Sequence, residues 1–408
     1  MKTILYPQSG IIISVLTWLL FSCNPGAQIN LTNNLEIELI EQRITIKRSE
    51  FACNENQYID LKDLTGKSVP IQHDDLNSDG VWDEVAFEYS LDPLQSVSLY
   101  YDLTEADNQL SFESKTNAYL GYSPSRNKQF ESVASAIRPV DHVAMSVPYL
   151  YQYEGPGWES DLVAFRSYFD SRNGKDIFGK ITSKNCLTDI GTGENYHSLQ
   201  DWGMDILKVG NSLGAGSLAL LKNDSVYRLG KTESAEFRIV CEGPVRTIIE
   251  LTYGGWQVEN NNYSLMETIT IWAGKRSYTS EVRLAGGTGL DTLVTGIVDL
   301  KKAPKSEIEE SNYHIIYTHG NQSENNDILG MGILISDKNF VGYKQAPESG
   351  DGITNTYMAF MKPINGAYTF HFYAGWELES SDFSARENFD QALRNEAMSL
   401  NQIIEIKI

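Results

Sequence analysis

Twelve short runs rich in Val, Ile, Thr, Tyr and Phe punctuate this sequence: LEIELI, RITIKR, EVAFEYSL, SVSLYYDL, EFRIVCEG, VRTIIELTYGGW, NNYSLMETITIW, RSYTSEVRL, YHIIYTHG, GMGILIS, TYMAFMK and YTFHFYAGW. Many alternate apolar with polar residues, and turn sequences such as NSDG, CEGP and AGK separate them. That is the pattern of strands with one buried face. The 3.6-residue period of a helix emerges near the end, from about Ala385 to Leu400, where Phe389, Leu393 and Ala397 recur at four-residue spacing. So many strands without a helical rhythm between them exclude βαβ units. They predict a mainly β chain, a large antiparallel β-sandwich with a short C-terminal helix. No repeat or low-complexity linker follows residue 34, so residues 35–408 are expected to form one domain. With 408 residues, 41% hydrophobic and 11% aromatic, the chain can bury a large core.

The N-terminus predicts export. Met1 and Lys2 open a weakly basic segment, and Ile11–Phe21 is an apolar run of signal-peptide length. It is short for a membrane-spanning helix. Leu20-Phe21-Ser22-Cys23 then resembles a bacterial lipobox, which implies a signal peptide at residues 1–22 and acylation of Cys23. The polar, turn-rich residues 23–34 read as the tether of that anchor. The expected location is therefore the periplasmic or cell-surface side of a bacterial membrane, with the membrane as a partner through lipid.

Charge narrows the partners. The formal net charge is −21, from 54 acidic and 33 basic residues. Such a chain repels nucleic acid, and no basic stripe reverses this locally. It also repels a polyanionic sugar unless a few cations sit inside the cleft. Beyond Cys23, Cys53, Cys186 and Cys241 have no metal-framework spacing and read as three buried thiols, with one disulfide plus a free thiol as the alternative.

Three stretches carry chemistry-bearing side chains. In HDDLNSDGVWDEVAF, Asp75, Asn77, Asp79 and Asp83 follow the spacing of a calcium loop, yet the twelfth position holds Ala86 instead of a bidentate Glu. An Asx-rich hairpin turn is the reading favoured, calcium the alternative, and no cofactor is expected. In GPGWESDLVAFRSYFDSR, Trp158 and Glu159 follow a Gly-Pro-Gly turn, which suits an exposed platform for a sugar face. Arg166, Tyr168 and Asp170 alternate, as on one face of a strand, and a guanidinium can clamp a carboxylate bidentately. The alternative is a charged outer sheet face pairing Arg166 with Asp170.

The densest stretch is NYHSLQDWGMDILK, which gathers Tyr196, His197, Asp201, Trp202, Asp205 and Lys208. A histidine is best poised for proton transfer near neutral pH, and an Asp can orient it. His197, Asp201, Asp205 and Tyr196 are the candidate catalytic residues. Arg166, Lys208, Trp158, Glu159, Trp202, His142, His371 and Trp376 are the candidate substrate contacts. The GNSLGAGS run that follows lacks both the P-loop lysine, since Ala215 follows Gly214, and the GxGxxG spacing. It reads as a close backbone approach beside strands.

GPGWES…AFRSYFDSRNGKDIFGK followed by YHSLQDWGMDILKVGNSLGAGSLAL closely resembles the bacterial family of domain of unknown function 4861, and the resemblance covers most of the chain beyond the leader. It implies an exported protein of polysaccharide-degrading bacteria, encoded beside lyases, sulfatases and glycosidases. It also implies a galactose-mutarotase-like supersandwich and a link to uronate-rich polymers such as ulvan. No catalytic residue carries over from it. The leading functional expectation is a glycoside hydrolase that removes unsaturated uronic acid from lyase-generated oligosaccharides, with His197, Asp201 or Asp205 as acid and Arg166 or Lys208 as clamp. The alternatives are a polysaccharide lyase using Tyr196, His197 and Arg166, and a non-catalytic sugar binder whose platform is Trp158, Trp202 and Trp376.

Overall fold

The computed structural model describes residues 27–140, 142, 149–193, 195–401 and 404–408. Cys23 and the predicted leader lie outside them. The chain is mainly β, and the strand pairs are antiparallel. The backbone of the architecture is a nine-stranded sheet in the order Ser135–Ile137, Ser234–Cys241, Arg246–Val258, Asn261–Trp272, Ser277–Ala285, Tyr368–Trp376, Ile328–Ser336, Tyr313–Asn321, Lys305–Glu310. Its long hairpin strands coincide with the predicted runs; NNYSLMETITIW and YTFHFYAGW match residue for residue.

A five-stranded sheet lies against it in the order Gly203–Asp205, Lys175–Lys180, Val163–Ser167, Gly157–Ser160, Thr116–Tyr119. The two sheets meet through aromatic edges. Tyr278 of the large sheet stands 5.3 Å from the Trp158 ring and 4.9 Å from Phe165. A second five-stranded sheet, built around Thr292–Val298, joins the same apolar cluster through Leu220, Leu293, Ile297 and Met361.

Residues 27–105 build a separate pair of sheets. One has four strands, and the final strand Glu405–Lys407 closes its edge against Gln28–Thr32; the other has three. Their apolar side chains form their own cluster, from Ile29 to Leu99 with Ile404. The terminal helix spans Arg386–Asn401 and buries Phe389, Leu393 and Ala397, the predicted apolar stripe. Glycine at 330 is what lets it dock, since a Cβ there would lie 2.4 Å from the Phe389 ring.

LEIELI is not a strand until Leu39, because Asn33 folds the chain before it: its side chain accepts from Leu35 N at 2.9 Å and donates to Ile37 O at 2.8 Å. The glycine run is tight backbone packing. Ala215 N donates to Lys175 O and Gly216 N to Gly296 O, both at 3.0 Å, so these amides are not free to cradle phosphate. Gly214 has φ +53°, and a Cβ there would sit 2.2 Å from Lys175 O. In the 75–83 loop the side chains cap their own turn: Asp75 accepts from Asp79 N and Gly80 N, Asp79 from Val81 N, Asn77 from Asp79 N, and Asp83 from Leu76 N. Cys53, Cys186 and Cys241 are all free; Cys186 is buried, while Cys53 and Cys241 are half-buried.

Candidate active site

The middle of the smaller sheet carries a buried guanidinium. Val163–Ser167 is the middle strand, so Arg166 points from it with only 2% of its surface exposed. Such a charge survives burial only when paired. Its Nη2 donates to Asp176 Oδ2 at 2.6 Å and to Asp205 Oδ2 at 2.8 Å, and Nη1 to the Tyr153 carbonyl at 3.1 Å. The Tyr168 hydroxyl donates to Asp176 Oδ2 at 2.6 Å. Asp176 and Asp205 come from adjacent strands, Lys175–Lys180 and Gly203–Asp205, and that adjacency brings two carboxylates to one cation. Burial and the neighbouring Asp205 charge, opposed by Arg166, push the Asp176 carboxyl up to about 6.

The cluster has an open side. His197 Nδ1 lies 3.1 Å from Asp205 Oδ2, and its side chain is 58% exposed. The hydrogen bond to Asp205 raises the imidazole above its ordinary value, against a smaller opposing effect of burial. With Nδ1 turned to Asp205, Nε2 is the ring nitrogen left for proton exchange. The Tyr196 ring stands 4.3 Å from that of His197, and its hydroxyl lies 3.5 Å from Arg166 Nη1. Asp205 Oδ1 is buried without a hydrogen-bond partner among the described residues.

Over this arrangement lies a cavity of about 400 Å³, lined among others by Lys128, Phe130, Tyr149, Tyr153, Glu154, Tyr196 and His197. That volume falls in the range of about 300–1,000 Å³ typical of small-molecule sites. Its wall is strained: Lys128, Tyr153 and Glu154 hold φ of +63°, +37° and +73°. Left-handed backbone at non-glycine residues is uncommon, and its clustering marks functional sites. Glu154 accepts from Arg172 Nη2 at 3.1 Å and lies 4.0 Å from Arg166 Nη1. Among the described residues no group of His, Cys, Asp and Glu is arranged to hold a metal.

The family model described as domain of unknown function DUF4861 matches residues 31–406, the whole of this architecture. The chain belongs to this family. A similar family-length protein is the uncharacterized protein P7 of Formosa agariphila, 20% identical over 415 residues and covering 93% of each chain. Among solved structures, an alpha-mannosidase from Enterococcus faecalis V583 is similar at a TM-score of 0.46 and 10% identity, over 93% of this chain and 46% of that one. This DUF4861 chain thus spans under half the mannosidase's length. A putative aldose 1-epimerase from Klebsiella pneumoniae is similar at a TM-score of 0.31 and 7% identity, over 70% of this chain and 96% of that one. Likenesses this slight decide nothing about activity.

Of the residues singled out from the DUF4861 sequence, Tyr196, His197, Asp205 and Arg166 are brought together. The others are not. Trp158 is fully buried against Phe165 and Tyr278, so it offers no platform. Glu159 is fully buried too, accepting from Lys180 Nζ at 2.7 Å and from the Cys186 and Leu187 amides. Asp201 is exposed and outside the cavity lining, and Trp202 packs edge-on to Phe178. Lys208 lies on another surface, near Leu300 and Gln322. His371 is buried in its strand, 2.9 Å from Thr279 Oγ1, and burial lowers it to about 4. Trp376 is in the core, donating to Asp327 at 2.7 Å. His142 stacks edge-on to Tyr151 at 5.3 Å. Arg166 and Asp170 do not share a strand face; the strand ends at Ser167, and Asp170 pairs with Arg172 instead.

Arg166 is also no free carboxylate clamp, since two carboxylates already neutralise it. What sequence reasoning missed is the rest of the cavity lining, Lys128, Tyr149, Tyr153 and Glu154, together with Asp176, buried behind it against Arg166. The odd signal was present in EGPG, where a turn follows the acidic residue directly, but nothing local tied it to residue 197.

Proposed function

We propose that this cavity is the active site of an exported, lipid-anchored carbohydrate-processing enzyme whose proton-transfer residue is His197. The observation that carries the reading is exposed His197, lining a pocket sized for the end of a sugar chain, coupled to buried, Arg166-bound Asp205 behind it. An aspartate fixed from behind holds the imidazole in one tautomer and favours its protonated form, so Nε2 can deliver a proton.

The finer reading is hydrolysis of terminal unsaturated uronic acids left by lyases, in keeping with the polysaccharide setting that the family resemblance implies. His197 donates a proton to C4 of the C4=C5 enol ether. Water adds at C5 and gives its proton to the Glu154 carboxylate on the facing wall. The resulting hemiketal opens by breaking C5–O5, the C5 hydroxyl proton passing to O5, and the hemiacetal left at C1 then collapses to an aldehyde and releases the rest of the chain as an alcohol. Arg166 and Asp176 position Asp205 and touch no substrate.

A second reading, β-elimination by a lyase, is favoured by one observation: the Tyr196 hydroxyl within 3.5 Å of Arg166, beside the His197 ring. Burial raises the Tyr196 hydroxyl above its ordinary value, and the Arg166 cation offsets part of that cost for a phenolate that would remove the C5 proton. Absorbance of the conjugated double bond separates the two. With lyase-generated ulvan oligosaccharides a fall is expected; a rise on the saturated polymer would establish the lyase, and no change with either would leave a binding protein. In the hydrolase, His197→Ala lowers kcat by about a hundredfold or more.

A further inference from the structure

We propose that Lys128 is the group that reads the substrate's negative charge in this cavity, selecting sugars that carry a carboxylate over neutral ones. This rests on the cavity being a sugar site, as argued above. A chain of net charge −21 repels acidic oligosaccharides, so a site that accepts them needs a local cation. The two cations expected from sequence do not serve: Arg166 is consumed by Asp176 and Asp205, and Lys208 lies outside the cavity. Lys128 is the lysine of the cavity wall. It is exposed, and its Nζ stands 5.6 Å from the Tyr149 ring centre. Among the described residues no carboxylate pairs with it.

The loop that carries Lys128 is built to hold it. Arg126 and Lys128 both take left-handed backbone, at φ +55° and +63°. Asn127 between them pins the turn: its Oδ1 accepts from Ser123 Oγ at 3.0 Å and from Gln129 N at 3.1 Å, and its Nδ2 donates to Gln129 Oε1 at 3.0 Å. A non-glycine residue kept at positive φ is sparsely populated and persists where the surroundings over-determine it. Here the result is an ammonium with no carboxylate partner among the described residues, in a cavity that Glu154 and His197 also line. The same geometry orients the bound sugar, with its carboxylate toward Lys128 and its reacting carbons toward His197.

The test is equilibrium binding by calorimetry of two short oligosaccharides differing only at the terminal ring, a glucuronate and its carboxyl-reduced glucose counterpart. Wild type is expected to prefer the uronate. Lys128→Ala should weaken the uronate by about tenfold or more, the cost of a lost charge-assisted contact, and leave the neutral sugar unchanged. Lys128→Arg should restore most of the preference. The substitution is on the surface, so an unaltered melting transition is expected as a control on folding. Equal weakening of both sugars, or an unchanged preference, overturns the role of Lys128 while leaving the sugar site standing. Failure of wild type to bind either sugar overturns the sugar site and this inference with it.

Discussion

Two arginines in this molecule are buried against two carboxylates each, yet they are different devices. Arg246, at the seam between the N-terminal sheets and the large sheet, donates through Nε to Asp74 Oδ2 at 2.7 Å and pairs with Glu84, its guanidinium 5.2 Å from the Trp272 ring. Gln72 completes the cluster: it donates to Asp74 Oδ1 at 2.6 Å and accepts from the Val245 and Arg246 amides. Both Asp74 oxygens are thus occupied. Arg166 likewise hydrogen-bonds two carboxylates, Asp176 and Asp205, with Glu154 further off at 4.0 Å, and lies 4.8 Å from the Tyr168 ring. There, however, Asp205 divides one oxygen between Arg166 and a solvent-facing histidine and leaves the other without a partner among the described residues. A filled cluster fastens one layer to another. An unfilled one with an exposed titratable member is what the proposed proton transfer requires. The number of ion pairs is uninformative; the unfilled valences are what distinguish the two.

The largest expected effect tests the shared part of that comparison. Removing either guanidinium leaves two buried carboxylates uncompensated, so Arg166→Ala and Arg246→Ala should each cost about 3–5 kcal/mol in denaturant unfolding, Arg246 toward the lower end because Glu84 keeps some solvent. The variants should then part company. Turnover per folded molecule should survive Arg246→Ala and fail in Arg166→Ala, whose Asp205 no longer holds His197. Equal turnover in the two would mean that the Arg166 cluster is a second fastener.

A smaller effect sharpens the difference through pH. The folded state raises Asp176 from an ordinary 3.8 to about 6. The native protein therefore holds this proton more tightly than the unfolded chain, and this group's contribution to stability declines as pH rises from about 4 to 6 and is level above. Asp176→Asn has no proton to lose, so its stability should vary less than that of wild type across that window. Parallel curves for the two proteins would place the proton elsewhere.

The fold was legible because strands advertise themselves. Alternation along NNYSLMETITIW and YTFHFYAGW, and the four-residue spacing of Phe389, Leu393 and Ala397, are local signals that tertiary packing only had to accept. Half of the site was legible for the same reason, since Tyr196, His197 and Asp205 fall within one short stretch. The misreadings have a common cause. Gly-Pro-Gly announced an exposed turn, but the strand it opens, Gly157–Ser160, is interior to its sheet and covered on both faces, which buries Trp158 and Glu159. The cavity's other wall could not be read at all. Lys128 and Glu154 reach His197 through sheet order and two left-handed turns, and neither has a signature in the sequence around it.

The smallest expected effect concerns His197 alone. Its hydrogen bond with Asp205 raises the folded imidazole above the ordinary 6.5. Protonation is therefore favoured by folding, and the stability that the pair contributes is fully present below about pH 6.5 and lost as pH climbs through the raised value. Because the ring is 58% exposed, solvent screens the pair, and the contribution should stay under about 1 kcal/mol. His197→Ala should accordingly melt slightly below wild type at pH 6 and coincide with it at pH 9, while its turnover is reduced at both. Nothing comparable is available to the Arg246 cluster, whose charged members are an arginine and two carboxylates, so Arg246→Ala should be destabilised alike at pH 6 and pH 9. If instead His197→Ala loses several kcal/mol at every pH, the histidine is a structural strut and the contrast between the two arginine clusters collapses; if it loses turnover with this faint, pH-limited change in stability, the open valence of Asp205 is where the chemistry begins.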